Sequence, residues 1–155
     1  RCEGKHKARA LFTATLPLRE QGRLGLHAYL SHALLELDAN REPAVAARVL
    51  EAALQAHPEA LAEVRVVSTL ARALWMLGRG GDVRALFERA LERAPGPPRT
   101  TRLDMLDELM RFENDHLLAG PERLDELRRR RRELVKGRPG GATAGVAGAA
   151  AREEP

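Results

Sequence analysis

A short segment recurs three times along this chain of 155 residues, and this recurrence limits the available folds more than any other feature. Residues 8–12 read ARALF, residues 47–51 read ARVLE and residues 83–87 read VRALF. The arginines are Arg9, Arg48 and Arg84, which lie 39 and then 36 residues apart. Recurrence at such intervals is typical of stacked supersecondary units. The sequence therefore predicts a solenoid, in which each repeat buries its apolar face against its neighbours.

Apolar residues recur at helical spacing along most of the chain. Between residues 26 and 37 they fall at i, i+3, i+4, i+7, i+8 and i+11, which forms one stripe on a helix. Similar stripes occupy residues 8–16, 45–54, 61–74, 83–91, 103–117 and 124–134. Proline or glycine separates most of these stripes, and no period-two run of β-branched residues occurs. We expect an all-α solenoid of about three to four antiparallel helix pairs.

The repeats predict a core and a domain boundary. The side chains expected to pack within and between repeats are Leu11, Phe12, Leu50, Leu54, Trp75, Leu86, Phe87, Leu91 and Phe112. Residues 1–136 form the predicted helical-repeat domain, and residues 137–155 are predicted to be a flexible Gly/Ala-rich tail. Because the chain opens with Arg1, we expect a fragment that is truncated at its N-terminus.

One of these segments resembles a known repeat family. Residues 83–91, VRALFERAL, resemble the second helix of a HAT (half-a-tetratricopeptide) repeat, whose pattern is roughly Ala-Arg-x-x-Phe-Glu-Arg-Ala-Leu. The pair Phe112-Glu113 resembles the end of that family's first helix, and Trp75 is the single tryptophan of a first helix. The family's first helices are rich in Trp and Tyr, whereas this chain has one of each. We therefore expect a core that is less aromatic but still filled by apolar volume.

Among HAT proteins, the order of segments is most similar to the suppressor-of-forked family, to which the 77-kDa subunit of cleavage stimulation factor belongs. The resemblance runs from about Ala8 to Leu134 and corresponds to the C-terminal part of the HAT array. It includes residues 32–36 followed by 47–51, Pro97-Pro98 after residues 83–91, residues 110–115 (MRFEND), and Leu127 before a basic helix.

This resemblance implies a nuclear protein-interaction scaffold in mRNA 3′-end cleavage and polyadenylation. It implies other protein subunits of an RNA-processing complex as partners, together with a homodimer, and neither catalysis nor a cofactor. Two alternatives stay open. One is a HAT or tetratricopeptide scaffold in splicing or pre-ribosome assembly, and the other is a helical-repeat protein that binds RNA directly.

The residues themselves offer no catalytic, cofactor-binding or metal-binding site. Cys2 is the single cysteine, which excludes an internal disulfide and a cysteine-based zinc site. His57-Pro58-Glu59 lacks the Pro-Cys-x-x-Cys that a zinc deaminase needs. An acidic group has no base or nucleophile beside it and is predicted to be a solvated helix face; its members are Asp104, Asp107, Glu108, Glu113 and Asp115. No apolar run is long enough to span a membrane.

The strongest charge feature is a run of five arginines near the end of the repeat domain: Arg128, Arg129, Arg130, Arg131 and Arg132. Successive residues advance by about 100°, so these side chains surround a helix instead of forming one stripe. They could contact RNA phosphates, serve as a nuclear localisation signal, or complement the C-terminal dipole of the helix. With a net charge of +4 and only 3% aromatic residues, any RNA contact should be to phosphates without base specificity.

Overall fold

Within the part of the chain that the structure describes, the amphipathic stripes form seven helices. Proline, glycine or a residue with left-handed backbone bounds each stripe. The structure is a computed structural model, and it describes residues 2–14, 17–18, 25–93 and 97–137. The helices are α1 (Cys2–Ala14), α2 (Leu26–Leu34), α3 (Pro43–Ala56), α4 (Val64–Met76), α5 (Gly80–Glu92), α6 (Arg99–Asp115) and α7 (Pro121–Lys136). A π-helical turn, Leu35–Ala39, extends α2, and a 3₁₀ turn, Pro58–Ala62, joins α3 to α4. Strands are absent from the described residues, so the all-α prediction is confirmed.

The helices pack as a solenoid of antiparallel pairs. From α2 to α7, each helix contacts the next along the chain. The first helix of each pair also contacts the first helix of the following pair, since α2 packs against α4 and α4 against α6. Each pair therefore buries its apolar face against its neighbours, as expected of a repeat array.

The three first helices end in the same way, and their ends give the register of the repeat. A residue with left-handed backbone follows each helix: Arg41 (φ 57°), Gly78 (φ 74°) and Leu118 (φ 48°). The residue after it donates its N–H to a carbonyl in the last turn of the helix. Glu42 N to Glu36 O is 2.8 Å, Arg79 N to Leu74 O is 2.9 Å and Ala119 N to Glu113 O is 2.9 Å. By this marker the repeats are 37 and then 40 residues long.

This register corrects the predicted equivalence of Arg48 with Arg84. Helix α3 begins at Pro43 and α5 at Gly80, so Ala47 and Arg84 each lie four residues after the start of their helix. Ala47 is buried, whereas Arg48 is exposed. The sequence similarity at Arg48 is therefore displaced by one residue from the structural repeat.

Most of the predicted packing residues lie inside the solenoid. Leu50, Leu86, Phe87, Leu91 and Phe112 are buried, and Phe12 and Leu54 are half-buried. Buried alanines fill much of the rest of the core, at positions including Ala33, Ala46, Ala53, Ala71 and Ala90. Small side chains let the helix axes approach closely, which explains why so few aromatic residues suffice.

The packing prediction is wrong at Leu11 and Trp75. Leu11 is 66% exposed, because it lies two residues, or about 200° around α1, from Arg9, which faces α2. Trp75 is 39% exposed at the end of α4 and is covered in part by His116, with 4.3 Å between the ring centroids. Both side chains lie on the surface of the described structure.

Candidate interaction surface

Two arginine–glutamate pairs join helices of consecutive repeats. Arg9 of α1 donates to both carboxylate oxygens of Glu36, at 3.1 and 2.9 Å. Arg84 of α5 donates in the same way to Glu113 of α6, at 2.9 and 2.8 Å. The side chains of both glutamates are 0% exposed. Each is therefore a bidentate, charge-assisted contact between the second helix of one repeat and the first helix of the next.

The repeat register shows that the middle interface lacks this pair. Glu36 lies five residues before the left-handed Arg41, and Glu113 lies five residues before Leu118. The residue five before Gly78 is Ala73, and the residue equivalent to Arg84 is Ala47. Both alanines are buried. The same position between consecutive repeats is therefore occupied by an ion pair at two interfaces and by two alanine side chains at the third.

The arginines keep the two buried carboxylates ionised. Hydrogen bonds from Arg9 lower the pKa of Glu36 against the opposing effect of burial, and the amide of Asn40 adds a bond of 2.9 Å. For Glu113, burial is the largest influence and raises the pKa. The hydrogen bonds and charges of Arg84 and Arg123 together outweigh it and leave the pKa below its usual value. Both carboxylates are anions that join repeats, and the His32 ring also lies 3.5 Å from Glu36.

Glu113 corrects the prediction that its acidic group forms a solvated face. Asp104 and Asp115 are exposed as predicted, but Glu113 is completely buried, and Asp107 pairs with Arg131 at 2.6 and 3.1 Å. The prediction failed because the arginine partner of Glu113 lies 29 residues earlier in the chain. Helical periodicity carries no information about such a partner.

Charge as well as apolar contact attaches the last helix to the array. Among the residues of α7, Leu127 alone is buried. Arg123 and Arg130 of α7 both donate to Glu88 of α5, each at 2.9 Å, and Arg131 binds Asp107 of α6. Helix α7 therefore closes the array with a basic inner edge that matches acidic side chains of α5 and α6.

Two arginines of the run contact neighbouring helices, and the other three face solvent. Arg130 and Arg131 face α5 and α6, whereas Arg128, Arg129 and Arg132 are exposed. Arg128 pairs with Asp125 at 2.8 Å, and Arg129 lies 3.9 Å from Glu133. The run is thus partly structural, and phosphate or import-receptor contact remains a prediction that concerns its three exposed members.

The remaining motifs have structural positions. The ring of His57 lies 3.3 Å from Glu59 in the turn between α3 and α4, and His32 stacks on Phe12 with 4.0 Å between ring centroids. Residues 77–79 form the turn before α5, which begins at Gly80. The described residues contain no cluster of three or more side chains that could hold a metal ion. None of their helices is long and apolar enough to cross a membrane.

An exposed apolar patch lies at the ends of α4 and α6, and the sequence analysis missed it. It consists of Trp75, Met76, Leu77 and Leu118, and Leu118 is 83% exposed. The rings of Trp75 and His116, tilted by 39° to each other, bring the two helix ends into contact. Apolar side chains that cluster on a surface are typical of contact with another protein.

The family model of the suppressor of forked protein (Suf) matches residues 1–143, which is nearly the whole chain and every helix described above. Neither a curated protein nor a solved structure matches the chain.

Proposed function

This chain belongs to the suppressor-of-forked family of RNA-processing helical-repeat scaffolds, and we propose that it acts as a non-catalytic protein–protein interaction scaffold in mRNA 3′-end cleavage and polyadenylation. The observation that carries the proposal is the family match over residues 1–143, which spans the complete described array. A stacked helical array presents an extended surface to partners without requiring reactive groups. The described polar side chains support this role, because the buried carboxylates serve to join repeats.

The proposed partners are other protein subunits of an RNA-processing complex, and the proposed location is the nucleus. A second copy of the chain is also a proposed partner. The apolar patch at Trp75, Met76, Leu77 and Leu118 is the surface best suited to protein contact, because its exposed area would be removed from water. Analytical ultracentrifugation tests the homodimer, and a monomer at high concentration would contradict it.

Affinity purification of the full-length product tests the central proposal. We expect subunits of the 3′-end cleavage and polyadenylation machinery to co-purify in constant ratio. A Trp75→Ser/Leu118→Ser variant, which changes only exposed side chains, should reduce the yield of those subunits that bind the patch. An Arg48→Ala variant serves as a surface control. Recovery of only splicing or pre-ribosomal proteins would contradict the assignment.

Direct RNA contact is a second candidate function, and the exposed Arg128, Arg129 and Arg132 favour it. Three phosphate contacts to a single strand predict a slope of about −2 when the logarithm of the binding constant is plotted against that of the salt concentration. A salt titration with RNAs of different sequence tests this. Affinity that depends on base sequence would contradict a contact made through phosphates alone.

A further inference from the structure

A cleft of about 430 Å³ opens where the end of α5, the start of α6 and the end of α7 meet. Its lining combines three guanidinium groups with three apolar side chains: Arg99, Arg102, Arg130, Leu91, Leu106 and Leu134. A wall of this mixed kind suits a ligand that carries negative charge and apolar surface side by side.

Two arginines of the cleft differ from those that join the helices. Arg9, Arg84, Arg123 and Arg131 each bind a carboxylate. Arg99 and Arg102 have no carboxylate within 4.0 Å among the described residues. The Nε atom of each is buried and donates no hydrogen bond there.

A terminal nitrogen of Arg99 donates to the carbonyl of Val135. This acceptor is neutral, so the positive charge of Arg99 remains uncompensated. Buried donors without acceptors are rare in folded proteins, so these two groups indicate a missing acceptor.

The other charged side chains of the cleft do not offset the charge of Arg99 and Arg102. Arg130 is already neutralised by Glu88. Glu133 is the one carboxylate among the described lining residues, and it lies at the exposed rim beside Arg129. Helix α6 begins at Arg99, so the positive end of its dipole also points to this region. The electrostatic field of the cleft therefore favours an anion.

We propose that this cleft binds an acidic and apolar peptide segment of a partner protein. A carboxylate of the segment accepts hydrogen bonds from Arg99 and Arg102, and a neighbouring apolar side chain packs against Leu91, Leu106 and Leu134. Guanidinium groups recognise carboxylates in bidentate fashion, which gives such a contact its specificity. Single-stranded RNA fits less well, because no aromatic side chain is among the described lining residues to stack on a base. This inference rests on the proposed scaffold function and specifies one of its contact sites.

The test uses the full chain and a fluorescein-labelled peptide of twelve residues in which pairs of glutamates alternate with leucines. Fluorescence anisotropy measures the Kd for the chain and for Arg99→Gln/Arg102→Gln. The matched control, Arg48→Gln/Arg65→Gln, removes the same two positive charges from exposed positions outside the cleft. We expect the Kd to rise at least about tenfold for the cleft variant and less than about twofold for the control. An equal rise for both variants, or no binding of the peptide by the chain, would overturn the proposal.

A second measurement keeps the proposal testable if the cleft variant does not fold. The same peptide carrying a benzophenone group is photo-cross-linked to the unaltered chain. Cross-links at the ends of α5 and α7 and the start of α6 support the cleft, and cross-links confined to other surfaces overturn it. The same peptide with every glutamate replaced by glutamine should bind at least about tenfold more weakly, because a carboxylate is required.

Two competing occupants are distinguished in the same assay. A twelve-nucleotide oligouridine could displace the peptide from the unaltered chain but not from the cleft variant. That result would overturn the proposal and identify RNA as the occupant. The chain's own Glu153 and Glu154 are the other competitor. If Glu153→Gln/Glu154→Gln raises the affinity for the peptide tenfold, the tail is the occupant and the proposal is wrong. If the peptide does not bind but RNA-processing subunits still co-purify with the chain, only the proposed cleft site is wrong. If those subunits do not co-purify, the proposed scaffold function is wrong.

Discussion

At the scale of single residues, Glu113 has no contact with water, and the structure tolerates its charge because Arg84 and Arg123 compensate it. Replacing Arg84 by Ala leaves the carboxylate with Arg123 alone, at 3.5 Å. We expect this variant to lose about 2 kcal/mol of unfolding free energy. This loss is smaller than is usual when a buried ion pair is broken, because the side chain of Arg84 is itself 44% exposed. Urea denaturation followed by circular dichroism measures the loss.

The double variant Arg84→Ala/Glu113→Ala copies the solution that the middle interface uses at Ala47 and Ala73. Removing the carboxylate removes the uncompensated charge, so we expect the double variant to be less destabilised than the sum of the two single variants. Arg48→Ala is the control, because Arg48 is exposed, and it should change the unfolding free energy by less than about 0.5 kcal/mol. Strict additivity of the Arg84 and Glu113 effects would contradict this account.

The same pair shows where prediction from sequence ends. The segment around Arg84 identified the repeat and its family, but Glu113 was assigned to a solvated face. Its partner lies 29 residues away, and neither helical periodicity nor local propensity relates residues at that distance. The available signal was the repeat itself, since Arg9 is followed by Glu36 after 27 residues and Arg84 by Glu113 after 29. The displaced similarity at Arg48 concealed this regularity, because the middle repeat lacks the pair.

At the scale of helices, the left-handed residues Arg41, Gly78 and Leu118 terminate the first helices at equivalent positions. A Cβ atom at Gly78 would meet no atom within 4 Å, so replacement by Ala adds only backbone strain. We expect Gly78→Ala to lower the unfolding free energy by about 1 kcal/mol, and Leu118→Gly, at an exposed left-handed position, to leave it unchanged or raise it slightly. Thermal denaturation compares the two. A loss for Leu118→Gly as large as that for Gly78→Ala would contradict the shared register.

Helix α7 has a different basis of stability from the helices before it. Leu127 is its one buried residue, and Leu134 packs in part against the core. Ion pairs of Arg123, Arg130 and Arg131 add polar contacts with α5 and α6. Raising the ionic strength from 0.1 to 1 M shortens the Debye length from about 10 to about 3 Å. Hydrogen exchange measured by mass spectrometry should therefore accelerate in Pro121–Lys136 at high salt, and Val64–Met76, which packs through apolar side chains, should be unaffected. Equal responses of the two segments would show that charge does not anchor α7.

Apolar periodicity predicted the helices from α2 to α7 because each contributes at least one apolar stripe to the core. It could not show that ion pairs help to attach α7, since an arginine run looks the same whether it faces solvent or acidic neighbours. It also missed the apolar patch. Trp75 was assigned to the core because large apolar side chains are usually buried, but α4 ends one residue later and the ring remains 39% exposed beside His116.

At the scale of the whole array, two of the three interfaces between consecutive repeats contain a buried carboxylate. Low pH should therefore destabilise those two interfaces before the third. The pKa values of Glu36 and Glu113 are lowered in the folded chain, so the stability they contribute is complete above the ordinary carboxyl pKa of about 4.3 and is lost as the pH falls through the lowered values. We expect the urea midpoint to fall between about pH 5 and pH 3. Hydrogen exchange should accelerate first where α1 meets α2 and where α5 meets α6, while the interface of Ala47 and Ala73 responds later. The Glu36→Gln/Glu113→Gln variant should flatten this dependence, because neutral amides at the same positions do not titrate. An unchanged dependence on pH in that variant would mean that other carboxylates set the acid sensitivity of the array.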